Sequence, residues 1–98
     1  MKTRFEWDEV KAVGNFKKHG VRFETALRAF ADPFLLIVQD RVEQGEYRWQ
    51  ALGLVEDSLL LMIAHTVRED ADGTEVIRII SARRANKKER NSYETLRR

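Results

Sequence analysis

The stretch RIISARRANKKER, residues Arg78–Arg90, decides how the chain is organised. It begins as a strand, because β-branched residues surround Arg78 in the run VIRII. It ends as a helix start, since Asn86 with Glu89 three residues later matches the capping-box pattern. Arg83 and Arg84 lie at the corner between strand and helix, where paired guanidinium groups can bind a phosphate. The alternative is that the two arginines only solvate a strand end.

Positive charge is concentrated at this end of the chain. Residues 78–98 contain eight Lys or Arg and two Asp or Glu, a net charge of +6, whereas the whole chain carries +2 and residues 1–77 therefore −4. Such asymmetry indicates a polyanionic partner, above all a nucleic acid. A solvated basic helix is the alternative, because runs of charge are commonly just solvent-exposed faces.

Length and composition predict one domain over residues 1–98 with a single modest core. The chain has 98 residues, of which 43% are hydrophobic. It has no cysteine, which excludes a disulfide scaffold, a thiolate zinc site and a cysteine nucleophile. The longest apolar run, Leu59–Ala64, is far too short to span a bilayer, and the N-terminus lacks an apolar signal segment. We therefore expect a soluble cytoplasmic protein.

The first third of the chain reads as helical. Phe5–Trp7 is a short strand or an apolar lead-in. Asp8 is a good N-cap for a helix that runs to His19 and ends at Gly20. A second amphipathic helix begins at Phe23 and is stopped by the Asp-Pro pair at 32–33.

Four strand-like runs follow, joined by short turns that predict an antiparallel meander. They are Phe34–Val38, Glu46–Leu54, Leu59–Arg68 and Glu75–Ala82. The first is apolar throughout, which suits a strand covered on both faces. The last segment, Lys87–Arg98, is helical by propensity but has only Tyr93 and Leu96 to bury. The pattern predicts an α+β fold with two N-terminal helices packed on the meander and a loosely docked C-terminal helix.

The alternation of side chains along a strand sorts the charged residues by sheet face. It places Arg48, Arg68 and Arg78 on one face, opposite the face that packs the helices. Arg84 joins them if the last strand continues that far. His65 falls on the helix side, where a buried structural role is expected. Like charges this close repel unless an anion collects them, so the arginines favour an anionic ligand.

The motifs of several enzyme classes are missing. Only His19 and His65 are available to a zinc site, without a metalloprotease spacing. No glycine-rich nucleotide loop and no nucleophile-elbow serine occurs. Metal-free RNA cleavage remains, because the substrate supplies its own 2′-hydroxyl nucleophile and the protein only cations, a base and an acid. The base is left open between Lys18, His19 and Glu46.

Two motifs resemble the BrnT toxins. They are WDExK…N..KHG, over Trp7–Gly20, and RIISARRA, over Arg78–Ala85, and the resemblance extends from Phe5 to about Tyr93. It implies a RelE-like fold, a ribosome-independent ribonuclease and a type II toxin–antitoxin system. The implied partner is a BrnA-type antitoxin with a ribbon-helix-helix portion, so that DNA is bound only through the antitoxin.

The resemblance also implies the site. Basic catalytic groups are expected among Lys18, His19, Arg48, Arg68, Arg83 and Arg84, with Glu46 as a further candidate. Arg78, Lys87 and Lys88 are expected to bind the RNA backbone, and no metal or cofactor is expected. Two other functions stay open: a non-catalytic nucleic-acid-binding module, including a degenerate toxin that acts as co-repressor with its antitoxin, and a plain RNA-binding domain.

Overall fold

A twisted sheet of five strands forms the centre of the protein. The computed structural model describes residues 2–97, apart from the side chain of residue 97. The sheet order is β1-β5-β4-β3-β2. The elements in chain order are β1 (Thr3–Glu6), α1 (Glu9–His19), α2 (Phe23–Ala26), a 3-10 helix (Leu27–Ala31), β2 (Leu36–Glu43), β3 (Glu46–Val55), β4 (Leu59–Glu69), β5 (Glu75–Arg84) and α3 (Lys87–Arg97).

The sheet is mixed, which corrects the predicted purely antiparallel meander. β2 to β5 do pair antiparallel in sequence order. The first strand instead pairs parallel with β5, with Phe5 opposite Ile77 and Glu6 opposite Arg78. Local turn signals predict hairpins, but the pairing of two strands about 70 residues apart has no such signal.

The first helix begins and ends as its sequence predicts. The Asp8 carboxylate accepts hydrogen bonds from the backbone N–H groups of Val10 and Lys11. Gly20 has a φ of 71°, and its N–H donates to the carbonyl of Phe16. The expected second helix is a single α-helical turn that tightens into the 3-10 helix before Asp32, so only part of the predicted helix pair is present.

The main core lies between the N-terminal helices and one face of the sheet, called here the helical face. Its fully buried side chains include Phe23 from α2, Leu61 and Ile63 from β4, and Ile79 from β5. The 3-10 helix approaches β3 closely: a Cβ added at Gly53 would lie 2.5 Å from the carbonyl oxygen of Ala29. Glycine at 53 therefore sets the distance between these two layers.

The strand β2 is an exposed edge rather than a doubly covered strand. Ile37 and Val38 are each 46% exposed, which corrects the expectation drawn from the apolar run at Phe34–Val38. A register shift between Gln39 and Arg41 marks an irregularity in this edge. Bulges and charges of this kind discourage edge strands from pairing with other chains.

The C-terminal helix packs on the opposite face of the sheet. Tyr93 is buried against Leu52, Leu60 and Met62. Its hydroxyl donates to the Asp32 carboxylate, which also accepts from the backbone N–H of Leu54 at 2.8 Å. α3 is therefore anchored at Tyr93, while Leu96 stays 67% exposed.

None of the helices between residues 2 and 97 is long and apolar enough to cross a lipid bilayer.

Candidate nucleic-acid interface

Three predicted arginines do share one sheet face, called here the arginine face. Thr66 pairs with Arg78, and Arg68 follows Thr66 by two positions in β4, so both arginines point away from the helical face. In β3, Gln50 pairs with Ala64 on this face, and Arg48 precedes Gln50 by two positions. α3 covers the other end of the same face, so the arginines lie on its open end.

A bulge in β5 exchanges the positions of Arg83 and Arg84. Ala64 pairs with Ser81 but His65 pairs with Ile79, which leaves Ile80 as an extra residue. Beyond the bulge Arg83 pairs with Met62 on the arginine face, while Arg84 pairs with Leu61 on the helical face. The expectation that Arg84 lies with Arg78 is therefore wrong, because simple alternation does not continue through a bulge.

Two of these arginines, Arg68 and Arg78, form ion pairs with one carboxylate of the protein, that of Glu6. Arg68 donates to both carboxylate oxygens of Glu6, at 2.7 and 3.1 Å. Arg78 donates to the same carboxylate at 3.4 Å. The hydrogen bonds from Arg68, with the charges of Arg68 and Arg78, lower the pKa of Glu6 below its ordinary value of 4.5, although desolvation opposes this. Glu6 is therefore ionised at neutral pH.

Glu43 plays a similar part at the end of β2. Its carboxylate accepts a hydrogen bond from Arg41 at 2.9 Å and lies 3.4 Å from Nε of Arg48. The bond from Arg41 and the charge of Arg48 lower the pKa of Glu43. The contact between Glu43 and Arg48 is an ion pair without hydrogen-bond geometry. Nε of Arg48 is buried and has no hydrogen-bond partner among residues 2–97.

Arg83 is the most tightly paired of the arginines. It donates to both carboxylate oxygens of Glu89, at 2.8 Å each. The same carboxylate accepts from the backbone N–H of Asn86, and the Asn86 side chain accepts from the N–H of Glu89, which completes the predicted capping box. The hydrogen bonds from Arg83 lower the pKa of Glu89. Arg83 thus faces the site but is already engaged by a structural carboxylate.

Of the three candidate bases, Glu46 is the one linked to the arginine face. It precedes Arg48 by two positions in β3, so it points to the same face. Its charge adds a smaller contribution to the raised pKa of Arg68 than the hydrogen bond to Glu6 and the charges of Glu6 and Asp70. Lys18 is exposed and His19 half-buried in the last turn of α1. Within the described residues 2–97, no ion pair or side-chain hydrogen bond joins Lys18 or His19 to the arginines.

Asn15 fixes α1 beside the edge of β5. Its side chain accepts from the backbone N–H of Ala82 at 3.0 Å and donates to the carbonyl of Ala82 at 2.9 Å. It also donates to the carbonyl of Val21 at 3.0 Å. β1 covers the first half of this edge and Asn15 the second, so the motif residue N of N..KHG has a structural role.

The predicted RNA-binding lysines lie in the first turn of α3. Lys87 and Lys88 are both exposed and line a shallow surface groove with Asn91 and Leu96. Cations are unfavourable at a helix N-terminus, because the helix dipole is positive there. Helix stability therefore does not explain these two lysines.

His65 is a buried structural histidine, as its position in the strand predicts. It is 1% exposed on the helical face, and its ring packs edge-on against Phe30 with the centroids 5.1 Å apart. Nδ1 lies 3.3 Å from the carbonyl oxygen of Ile63. Burial lowers the pKa of His65 below its ordinary value of 6.5, so the ring is neutral at pH 7.

Glu6 is the residue of this site that sequence reasoning does not find. Its only signal is its place before the Trp-Asp-Glu motif at 7–9, and an isolated glutamate has no local pattern that points to Arg68 and Arg78.

Within residues 2–97, no three His, Asp or Glu side chains are grouped so as to hold a metal ion.

Comparison with known proteins gives the family. Residues 7–89 match the family model described as "Ribonuclease toxin, BrnT, of type II toxin-antitoxin system". The fold is similar to the crystal structure of the Brucella abortus ribonuclease toxin BrnT, with a TM-score of 0.53 and 20% identity over 89% of this chain and 100% of that one. No curated protein is similar enough to the chain to count as a match. Because the family model covers most of the chain, the protein belongs to the BrnT family of ribonuclease toxins of type II toxin–antitoxin systems.

Proposed function

We propose that this protein cleaves RNA without a metal ion, using the 2′-hydroxyl of the substrate as nucleophile. In this reaction a base takes the proton of the 2′-hydroxyl as its oxygen attacks the adjacent phosphorus, and the bond from phosphorus to the 5′-oxygen breaks. The 5′-oxygen takes up a proton from solvent, so the products are a 2′,3′-cyclic phosphate and a free 5′-hydroxyl. Negative charge builds on the phosphorus oxygens as the bonds exchange. Fixed cations are the groups that stabilise such charge.

The observation that carries the proposal is the open arginine face with its spare donors. Arg78 is 42% exposed in its side chain and donates one long hydrogen bond to Glu6, so most of its N–H groups remain available. The side chain of Arg48 lies on the same face and is 21% exposed. A phosphate on this face would be bound by arginines from three neighbouring strands, Arg48, Arg68 and Arg78.

Glu46 is the base that the geometry favours. It is exposed at the start of β3 and precedes Arg48 by two positions, so the alternation along the strand puts it on the same face. A carboxylate there can accept the proton of a 2′-hydroxyl whose phosphate lies on the arginines. Glu46→Gln should lower the cleavage rate by about 10²-fold or more. Glu56→Gln, a change at the surface pair with Arg28, is the matched control.

Lys87 and Lys88 extend the proposed surface to α3. Phosphates of the RNA beyond the cleaved bond would bind these lysines. The bound phosphates would also offset the unfavourable position of two cations at the positive end of the helix dipole. Their replacement by Ala should weaken RNA binding and make the affinity less dependent on salt. The rate at saturating RNA should change little.

The protein partner we propose is a BrnA-type antitoxin with a ribbon-helix-helix portion. Membership of a toxin–antitoxin family supports an antitoxin of some kind. We further propose that the toxin itself does not bind DNA specifically and that only the complex does. Co-expression with the product of a neighbouring small gene should relieve growth arrest, and the purified complex, unlike the toxin alone, should bind operator DNA.

A second candidate function is a degenerate toxin that acts as co-repressor. The observation that favours it is the pairing of the arginines with Glu6, Glu43 and Glu89, which neutralises much of their charge. Such a protein would bind its antitoxin and the operator but would not cleave RNA. Growth arrest on expression without the antitoxin separates the two candidates.

The decisive experiment uses a short RNA and its analogue with a single 2′-deoxy nucleotide 5′ to the cleaved bond. We expect cleavage in excess chelator, a cyclic phosphate on the 5′ product, and no cleavage of the deoxy analogue at that bond. Binding of the analogue should persist and weaken with salt. A 5′-phosphate product, or activity lost with chelator and restored by magnesium, would show that water or a metal hydroxide is the nucleophile.

A further inference from the structure

We infer that Glu6 is a positioning residue of the arginine face, whose carboxylate orients the guanidinium groups of Arg68 and Arg78 toward the phosphate that is cleaved. The inference rests on the proposed ribonuclease function and adds to it a residue that neither motif contains. Glu6 does not contact the reacting atoms in this scheme. It acts through the two arginines.

Glu6 lies beside the two cations on the edge strand β1 and is less exposed than either. The parallel pairing of β1 with β5 puts Glu6 directly beside Arg78. The Glu6 side chain is 27% exposed, whereas those of Arg68 and Arg78 are 50% and 42% exposed. The carboxylate accepts from both Nη atoms of Arg68 and from one Nη of Arg78, and the remaining N–H groups of these partly exposed side chains can reach a phosphate.

Long arginine side chains on an open sheet have many rotamers, and ordering them costs free energy when the ligand binds. A carboxylate that accepts from both Nη atoms of Arg68 and from one of Arg78 removes much of that freedom in advance. Pre-ordered cations stabilise a transition state better than mobile ones, because no reorganisation is needed during the reaction.

Glu6 is a poor candidate for the general base itself. Both of its oxygens already accept hydrogen bonds from guanidinium groups. Its lowered pKa means that it gives little driving force for taking a proton from a hydroxyl group. A supporting role for the arginines is what remains for a carboxylate in this place.

Positioning and simple charge masking predict opposite results when the charge is removed. If Glu6 only masks the arginines, Glu6→Gln should strengthen RNA binding and leave cleavage as fast or make it faster, because the face becomes more positive. If Glu6 positions them, the same change should slow cleavage, since the Gln amide presents N–H groups to a guanidinium that has only donors.

The experiment compares the full-length protein with Glu6→Gln and Asp70→Asn. Asp70 is the matched control, because it lies 2.9 Å from Arg4 and 3.9 Å from Arg68 and does not bond to Arg78. With a short RNA at saturating concentration, we expect Glu6→Gln to lower the cleavage rate by about tenfold or more. Asp70→Asn should stay within about twofold of the unaltered protein. In an Arg68→Ala background, Glu6→Gln should add much less than it does alone.

A second measurement reports on the arginines without any cleavage. In the free protein, the Nε–H NMR signals of Arg68 and Arg78 should show restricted motion that is lost in Glu6→Gln and largely kept in Glu6→Asp. Glu6→Asp, which retains the charge on a shorter side chain, should cleave faster than Glu6→Gln. If Glu6→Gln is too unstable to assay, Glu6→Asp takes its place. A folded Glu6→Asp variant in which the two arginines are mobile but RNA is cleaved at the rate of the unaltered protein would overturn the inference.

The outcomes separate the two levels of the proposal. Failure of the unaltered protein to cleave RNA would overturn the proposed function and this inference with it. Normal cleavage by the unaltered protein and by Glu6→Gln alike, or equal slowing by Glu6→Gln and Asp70→Asn, would overturn the inference alone.

Discussion

Arg83 donates a hydrogen bond to each carboxylate oxygen of Glu89, and this pair joins the last residues of β5 to the first turn of α3. Glu89→Ala removes the ion pair and the hydrogen bond to the N–H of Asn86 together. We expect it to lower the free energy of unfolding by about 1–2 kcal/mol, as for other helix caps with a charged partner. Glu94→Ala, on the exposed side of the same helix, should change it by less than about 0.5 kcal/mol. Equal denaturation midpoints for the two variants would show that the pair contributes nothing.

Because of the bulge at Ile80, Arg84 and Arg78 should have different effects in a cleavage assay. Arg78→Ala should lower the rate by about 10²-fold, the usual effect of removing a transition-state donor. Arg84→Ala should have a small effect, because Arg84 lies on the helical face. A loss for Arg84→Ala as large as that for Arg78→Ala would place the reaction at the strand end instead of on the open sheet.

The sequence predicts those parts of this site that depend on local patterns. The caps at Asp8 and Asn86 follow from spacing alone, because each depends on residues within one element. The shared face of Arg48, Arg68 and Arg78 depends in addition on the register of three consecutive strands, which the short turns between them indicate. The ion pair of Glu6 with Arg68 does not follow from the sequence, since 62 positions separate the two residues and the parallel strand that joins them has no local signature.

The position of the bulge in β5 cannot be predicted from the sequence either. Ile80 is a normal strand residue by propensity, and its exclusion from the ladder depends on how β4 and β5 fit together. One extra residue reverses the face of every side chain after it, so Arg83 and Arg84 exchanged places. The sequence also does not predict that the strand around Ile37 is an exposed edge, because an apolar run does not show whether a strand is central or at the edge.

Asn15 should be important for stability and not for chemistry. Asn15→Ala would leave both the N–H and the carbonyl of the buried Ala82 without their side-chain partner. Unpaired buried backbone groups each cost about 1–3 kcal/mol, and we expect a loss of about 2–3 kcal/mol in the free energy of unfolding. Lys17→Ala, on the exposed side of α1, is the control and should have a negligible effect. The variant should cleave RNA at the normal rate per folded molecule, and a selective loss of activity would instead place Asn15 in the site.

The buried imidazole of His65 should make the protein less stable below neutral pH. Burial lowers the pKa of His65 from 6.5 in the folded state, so the unfolded chain binds a proton first as the pH falls. The stability that depends on the neutral ring is therefore complete well above pH 6.5 and is lost progressively as the pH falls from there toward the folded pKa, with a slope of at most about 1.4 kcal/mol per pH unit. The carboxylates Glu6 and Glu89 act in a lower window, because their pKa values are lowered from 4.5 and their contribution is lost as the pH falls from about 4.5 through the folded values. Denaturant unfolding between pH 7 and pH 5 measures this slope, and His65→Phe, which keeps a ring against Phe30, should remove most of it. A slope that persists in this variant would have to come from another titrating group.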